Sequence, residues 1–474
     1  MKLTLKQYIE WVEKWKFSPK EVVEHYMKKA KEKNSEYFAF VRFHEDYVQK
    51  NLEDFSQKKL KSAPIGIKDI ILTEGYETTF GSKIGTWYIP PYSSTAFQKL
   101  ESNWWLMIWK TNMDEFAMWS STKSSYFGKT YNNHGKDRIP GWSSGGSAVA
   151  VSADLCLWAL GTDTWWSIRQ PAFCTGIVGI KPTYGRISRY GVQPLANSFD
   201  QVWVFSKTVE DGKILLQSIA GFDESDSNSV DRDSDLINWD KCFDNIDIRN
   251  FRIALPKEFL WEGLDPRIKS EFLKIIDFLR KKWATVDEIS LPILSSWLAI
   301  YYVLMPAEVS TNLSRFDWIK FGLQSDSMDH ESIIKYYNEI RSEWFGDEAK
   351  RRILLWTYVL SSANYEWYYL RAKKAQVKLV QEMEKLYKTY DLIISPTSPS
   401  LAWKMNEKSD PLQEYLADLY TVTANICWLP AISVPTWFID DKWEKMPRWI
   451  QLMAWKRKED MLFSVGNWIE KNVS

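Results

Sequence analysis

The sequence predicts a single large α/β domain, and three observations carry that prediction. From "APIGIKDIIL" (Ala63 to Leu72) to about Gly221, short apolar runs alternate with helical stretches and turns, as when strands and helices follow one another along a chain. Neither an internal repeat nor a low-complexity linker interrupts the 474 residues, so nothing marks a boundary between independent units. Beyond that core, "FRIALPKEFL" and "YDLIISPTSP" again read as strands running into loops.

Taken in order, residues 1 to about 60 read as a helical segment. It carries a start signal at Ser18 in "SPKE", where Ser can cap, Pro suits the first turn and Glu stands three residues on. Charged and apolar residues alternate there at helical spacing, with no unbroken apolar stretch and no small-residue cleavage site, which is unlike a signal peptide. Residues 61–221 form the core, and 222–474 complete the sheet and the substrate pocket. "GFDESDSNSVDRDSD" (Gly221 to Asp235) lacks calcium-loop spacing and reads as a solvated acidic connection. The stretches 265–285 and 330–390 carry helical patterns.

Composition excludes several classes of function. Lys plus Arg and Asp plus Glu balance at 61 each, so no overall field favours nucleic acid or an anionic membrane. No run approaches the ~18 apolar residues of a membrane span, and the expected location is the cytoplasm. Cys156, Cys174, Cys242 and Cys427 are scattered without a C-x-x-C pair, which predicts reduced, buried thiols and no metal site. His25, His44, His134 and His330 lie far from the glycine- and serine-rich segments, so no histidine-based triad is proposed locally.

Tryptophan is the anomaly. It occurs 27 times, whereas glycine occurs only 20 times, against ~33 at average usage. Many indoles stand where turns and close packing ask for a residue without Cβ, as in "RIPGWSSGGSAVAV", "ESNWWLMIWKTN", "FAMWSST", "FDQVWVFSKT" and "ANICWLPAISVP". A Trp-rich core or aromatic cleft would be the structural alternative, but these contexts show neither helical nor strand periodicity. The reading adopted is that UGA codons meaning glycine have been written as tryptophan at most of these positions.

Three pieces carry chemistry: Lys68 in "PIGIKDI", the cluster "GWSSGGS" (Gly141 to Ser147), and Ser167 in "DTWWSIRQPA". Singly, a strand lysine is usually an edge lysine and a Ser-Gly cluster a flexible loop. In this order, and together with "KTNMDEFAM" and "GIKPTYGRISRYG", they make the chain resemble the amidase signature family over nearly its whole length.

The resemblance implies a mixed sheet covered by helices on both faces. It also implies a Ser-Ser-Lys triad, with Ser167 as nucleophile, Ser143 as the bridging serine after a cis peptide bond, and Lys68 as general base. The chemistry is self-consistent, because a serine hydroxyl needs a base to become a nucleophile and a buried lysine can be held neutral. The backbone of Thr164, Trp165, Trp166 and Ser167 would supply the oxyanion hole, where the family has glycines at 165 and 166.

Within the family, "FGDEAKRRILL" and "YLADLYTVTANICWLPAISVP" are most similar to the A subunits of glutamyl-tRNA(Gln) or aspartyl-tRNA(Asn) amidotransferases. That likeness implies glutamine as substrate, gripped by Tyr301, Arg352 and Asp418, with Tyr301 taken over the adjacent Tyr302 on register alone. A free amino acid needs one partner of each charge, and Arg offers a planar fork to the α-carboxylate. It further implies B and C subunits as partners, mischarged tRNA reached through them, no cofactor here, and ATP and magnesium in the partner. Two alternatives stay open: a stand-alone hydrolase of small amides, and a non-catalytic scaffold if the tryptophans are genuine.

Overall fold

A computed structural model describes residues 3–14, 16–57, 62–103, 105–118, 121–230, 237, 239–243, 246–316, 332–361, 364–406, 418–441 and 444–473. Trp104, Trp119, His330 and the 231–235 part of the acidic stretch lie outside the described residues.

Eleven strands among the described residues form one sheet. They are β1 (Phe40–Phe43), β2 (Pro64–Lys68), β3 (Leu106–Thr111), β4 (Trp158–Asp163), β5 (Val178–Lys181), β6 (Gln201–Ser206), β7 (Arg252–Pro256), β8 (Thr285–Ile289), β9 (Leu392–Pro396), β10 (Ala431–Asp441) and β11 (Glu444–Ala454). Their spatial order is β1-β3-β2-β4-β6-β5-β10-β11-β9-β7-β8. β2 runs parallel to β3 and β4, the middle of the sheet is antiparallel, and β9, β7 and β8 are parallel again. The sheet is therefore mixed. Every residue of β2 to β6 is buried, so the sheet is covered on both faces. That is why these strands read as apolar runs rather than as alternating patterns.

The Ser18 signal works as its chemistry dictates. Ser18 Oγ accepts from the Glu21 N–H at 3.2 Å, the Glu21 carboxylate accepts from the Ser18 N–H at 2.8 Å, and Pro19 opens the helix Pro19–Tyr37. The N-terminal 60 residues are not wholly helical, however, because Phe40–Phe43 leaves the helical segment and pairs antiparallel with β3. Burying an apolar edge on the sheet outweighs local helical preference there. Helices Pro266–Lys281, Ile333–Trp344, Asp347–Val359 and Arg371–Leu386 occupy the stretches read as helical. The acidic connection is tied down rather than freely solvated: Asp226 pairs with Arg189 at 2.6 Å, and Asp223 accepts from Ser188 Oγ and Thr95 Oγ1, each at 2.5 Å.

All four cysteines are free and buried. Among the described residues no helix is long and apolar enough to cross a membrane, and no cluster of three or more His, Cys, Asp or Glu could hold a metal.

The tryptophans carry two kinds of strain. Trp87, Trp283 and Trp428 adopt φ of 70°, 68° and 59°. This left-handed region disfavours any residue with a Cβ by roughly 1–2 kcal/mol. Trp283 follows the helix Pro266–Lys281 at the position where glycine ordinarily terminates a helix, with the Ala284 N–H reaching back to the Leu279 carbonyl at 3.0 Å. In addition, the indole N–H groups of Trp109, Trp142, Trp158, Trp165, Trp166, Trp203 and Trp297 are buried without an acceptor among the described residues. Each such group costs about 1–3 kcal/mol. Both features vanish with glycine.

Candidate active site

The central parallel strands place the site. β2 and β4 run side by side, with Ile67 opposite Leu160, so Lys68 at the carboxyl end of β2 lies next to Thr162 on β4. Crevices outside the carboxyl ends of parallel strands are where α/β sheets gather reactive groups. Helix α1 (Gly145–Ser152) begins directly after Ser143 and Ser144. Its start lies against the β3 edge, where a Cβ on Gly146 would come within 2.3 Å of the Asn112 carbonyl oxygen. Only glycine permits that approach. Helix α2 (Arg169–Thr175) begins just after Ser167.

Lys68 is completely buried, and its Nζ lies 2.8 Å from Ser143 Oγ, 2.8 Å from Ser144 Oγ and 2.9 Å from Thr162 Oγ1. Burial disfavours the ammonium and pushes its pKa down to about 7, while the carboxylates of Asp114, Asp163 and Asp200 oppose that shift. The amine can thus take a proton near neutral pH. Ser144 and Thr162, which sequence reasoning passed over, complete its polar cage; both were visible inside the quoted motifs.

Ser167 is 4% exposed. Among the described residues no hydrogen bond links it to Ser143. The peptide bond between Trp142 and Ser143 is trans, whereas the resemblance implied cis. Here the Trp142 N–H donates to Gln170 Oε1 at 3.1 Å, its carbonyl accepts from Thr122 Oγ1 at 3.0 Å, and its indole stacks on Trp166 with ring centroids 4.0 Å apart. The Trp165 ring lies nearly parallel to that of Trp166, at 6.3 Å. All three side chains are buried, and Trp165 and Trp166 directly precede Ser167.

The loop before Ser167 is oriented by its carbonyls. The Thr164 carbonyl accepts from the Tyr301 hydroxyl at 3.0 Å, and the Trp165 carbonyl from Arg169 Nη2 at 3.1 Å. Arg169 is itself fixed by Gln451 Oε1 at 2.6 Å and Asn425 Oδ1 at 2.5 Å. Asn425 also donates to Asp163 Oδ1 at 2.6 Å, and Asp163 Oδ2 accepts from the Ile168 N–H at 3.2 Å. The N–H groups of Trp165, Trp166 and Ser167 donate to no acceptor among the described residues, as a cradle for a developing oxyanion requires.

The three residues expected to grip substrate divide. Arg352, on the helix Asp347–Val359, places its guanidinium 4.8 Å from the Trp165 ring and bonds Glu348 Oε1 at 2.6 Å. Asp418 is buried and accepts from the hydroxyl of Tyr302, whose ring lies 6.4 Å from that of Trp165. Tyr301, by contrast, is fully buried with its hydroxyl on the Thr164 carbonyl. Consecutive residues on a helix point about 100° apart, so only one of this pair can face Asp418. The tyrosine beside Asp418 is Tyr302, one position on from the sequence expectation. The Trp165 indole thus stands between the Ser167 loop and the Arg352, Tyr302 and Asp418 group.

Residues 21–463 match the family described as Amidase. The chain is 41% identical over 453 residues to the A subunit of glutamyl-tRNA(Gln) amidotransferase from Halothermothrix orenii, covering 95% of this chain and 93% of that one. It is 44% identical over 408 residues to the protein of the same name from Latilactobacillus sakei, covering 86% and 82%. A crystal structure of the A subunit of glutamyl-tRNA(Gln) amidotransferase from Thermotoga maritima superposes with a TM-score of 0.82 at 34% identity, covering 99% of this chain and 95% of that one.

Proposed function

The chain belongs to the amidase family, and from that premise we propose that it hydrolyses glutamine as the A subunit of a tRNA-dependent amidotransferase. The ammonia released goes to a partner that converts Glu-tRNA(Gln) to Gln-tRNA(Gln), or Asp-tRNA(Asn) to Asn-tRNA(Asn). The observation that carries the chemistry is the wholly buried Lys68 amine, 2.8 Å from Ser143 at the strand end beside the Ser167 loop.

Neutral Lys68 takes the proton of Ser143 as Ser143 takes that of Ser167, and Ser167 Oγ attacks the side-chain carbonyl carbon of glutamine. The carbonyl oxygen gains negative charge against the N–H groups of the 164–167 loop. The proton returns along the same path to the departing nitrogen, releasing ammonia and leaving a γ-glutamyl ester on Ser167. Water, activated by the same base, then frees glutamate. Arg352 would hold the α-carboxylate, and Asp418, supported by Tyr302, the α-ammonium.

Partners, cofactors and location follow the same reading. B and C subunits complete the enzyme, tRNA is engaged through them, ATP and magnesium belong to the partner's chemistry, and the complex works in the cytoplasm.

The functional protein in this reading has glycine at 142, 165 and 166. Three features support it: left-handed tryptophans elsewhere in the chain, buried indole N–H groups without acceptors, and a Trp165 ring in the space that Arg352 and Asp418 would enclose around substrate. The chain with the indoles is the non-catalytic form.

Two measurements test the assignment on the glycine form. Arg352→Ala should raise KM for glutamine on the order of 10²-fold, because a buried carboxylate loses its charged partner. Unchanged use of glutamine would leave a stand-alone amidase as the better reading. The rate should also depend on pH with a definite sign. Lys68 acts only when neutral, and its pKa lies near 7 rather than in the usual lysine range. So kcat/KM should rise through about pH 7 and level off above it. A flat profile from pH 6 to 8 would exclude the buried amine as base.

A further inference from the structure

We infer that Thr164 is held in a two-armed clamp, with Asp200 on its hydroxyl and Tyr301 on its carbonyl, and that this clamp aims the N–H of residue 165 at the reacting carbonyl. Tyr301 and Asp200 are then positioning residues of the oxyanion hole and not substrate contacts. The inference rests on the glutaminase reading for its substrate, but the clamp itself is drawn from side chains that reading leaves unused.

The first arm is geometric. In a trans peptide the C=O of residue 164 and the N–H of residue 165 point in opposite directions. The Tyr301 hydroxyl donates to the Thr164 oxygen at 3.0 Å, which leaves the N–H of residue 165 directed away from Tyr301. Tyr301 has no freedom to do otherwise. It is wholly buried, with its ring 5.4 Å from that of Phe199 in an edge contact.

The second arm fixes the side chain of the same residue. Asp200 Oδ1 accepts from Thr164 Oγ1 at 2.6 Å, while Oδ2 accepts from the N–H groups of Leu195 and Ala196 at 2.7 and 2.9 Å. Burial raises the Asp200 carboxyl to about 6, and these three donors, with the Arg189 charge, oppose that rise. The carboxylate is therefore a rigid acceptor anchored on backbone.

Both arms meet on one element. Helix α3 (Trp297–Leu313) carries Tyr301 and also Asn312, whose Nδ2 donates to the Leu195 carbonyl at 3.0 Å and to Asn197 Oδ1 at 3.1 Å. One helix thus positions the phenol directly and the 195–197 turn that supports Asp200. A loop of small residues before Ser167 would otherwise have several conformations open to it, and an oxyanion donor is effective only when preorganised.

The test uses the full chain with glycine at 142, 165 and 166, assembled with its partner subunits, and reads kcat and KM separately. Tyr301→Phe should lower kcat about 10–100-fold at unchanged KM, less than the 10²–10³-fold typical of removing a donor outright. Thr164→Val should lose a similar factor, and Thr164→Ser, which keeps the hydroxyl, should recover most of it. A raised KM with unchanged kcat in Tyr301→Phe would make the phenol a substrate contact and overturn the clamp. Equal kcat in Thr164→Val and Thr164→Ser would overturn it independently, even if the Tyr301 variant did not fold. The two readings fail separately. A parent enzyme that ignores glutamine but hydrolyses another amide sinks the glutaminase assignment, and the same variants then report on the clamp with that amide.

Discussion

Replacing Trp142, Trp165 and Trp166 together by glycine is expected to turn an inert chain into a glutaminase, with ammonia release rising on the order of 10⁴-fold or more. Two obstructions act at once in the tryptophan form. The stacked rings of Trp142 and Trp166, 4.0 Å apart, are proposed to block the approach to Ser167, and the Trp165 ring packs 4.8 Å from the Arg352 guanidinium. Loss of a single oxyanion donor already costs 10²–10³ in kcat, so blocking the donors and the amino-acid pocket together should cost more than either. The check is ammonia release from the two forms at matched concentration, alongside intact mass of the protein isolated from its own source. Equal activity in both forms, or a natural mass that accounts for all 27 tryptophans, would refute the glycine assignment.

Ser167→Ala in the glycine form should abolish turnover, with kcat falling about 10⁴–10⁶-fold, the loss seen when an acyl-transfer nucleophile is removed. Binding should survive, because the groups proposed to hold the amino-acid end are Arg352, Tyr302 and Asp418, whose contacts do not include Ser167. The dissociation constant for glutamine should therefore stay within a few-fold of the parent. Adding Lys68→Met to this variant should bring almost no further loss, since residues that act as one relay are not additive. A Ser167→Ala enzyme that hydrolyses glutamine at the parent rate would end the mechanism. An additive second loss would instead give Lys68 a role outside the relay.

Cysteine scatter, charge balance and the Ser18 capping box were legible because each depends on local chemistry or simple composition. The stretches around Lys68, Ser143 and Ser167 are visible as pieces, but taken singly each has a bland reading, and their roles as base, relay and nucleophile come from the resemblance to the amidase signature family. Tyr301 and Tyr302 could not be separated by sequence, as both satisfy the same pattern and only helix rotation distinguishes them. Asp200 and Arg169 carry no local signal in the sequence. Their work depends on Thr164 and on the Trp165 carbonyl, contacts created by packing across the sheet. Phe40–Phe43 was misread for a related reason, since its strand exists only because β3 offers an edge.

The sequence alone determined the α/β class and the misfit between tryptophan and its surroundings, because periodicity and missing glycine are local properties, while the triad roles rest on the resemblance to the family. Only the tertiary structure decided how basic Lys68 is, which tyrosine faces Asp418 and which way the 164–167 carbonyls turn. Those depend on desolvation and on hydrogen-bond partners brought from residues as distant as Tyr301 and Gln451, and no spacing along a chain encodes where a buried dipole will point.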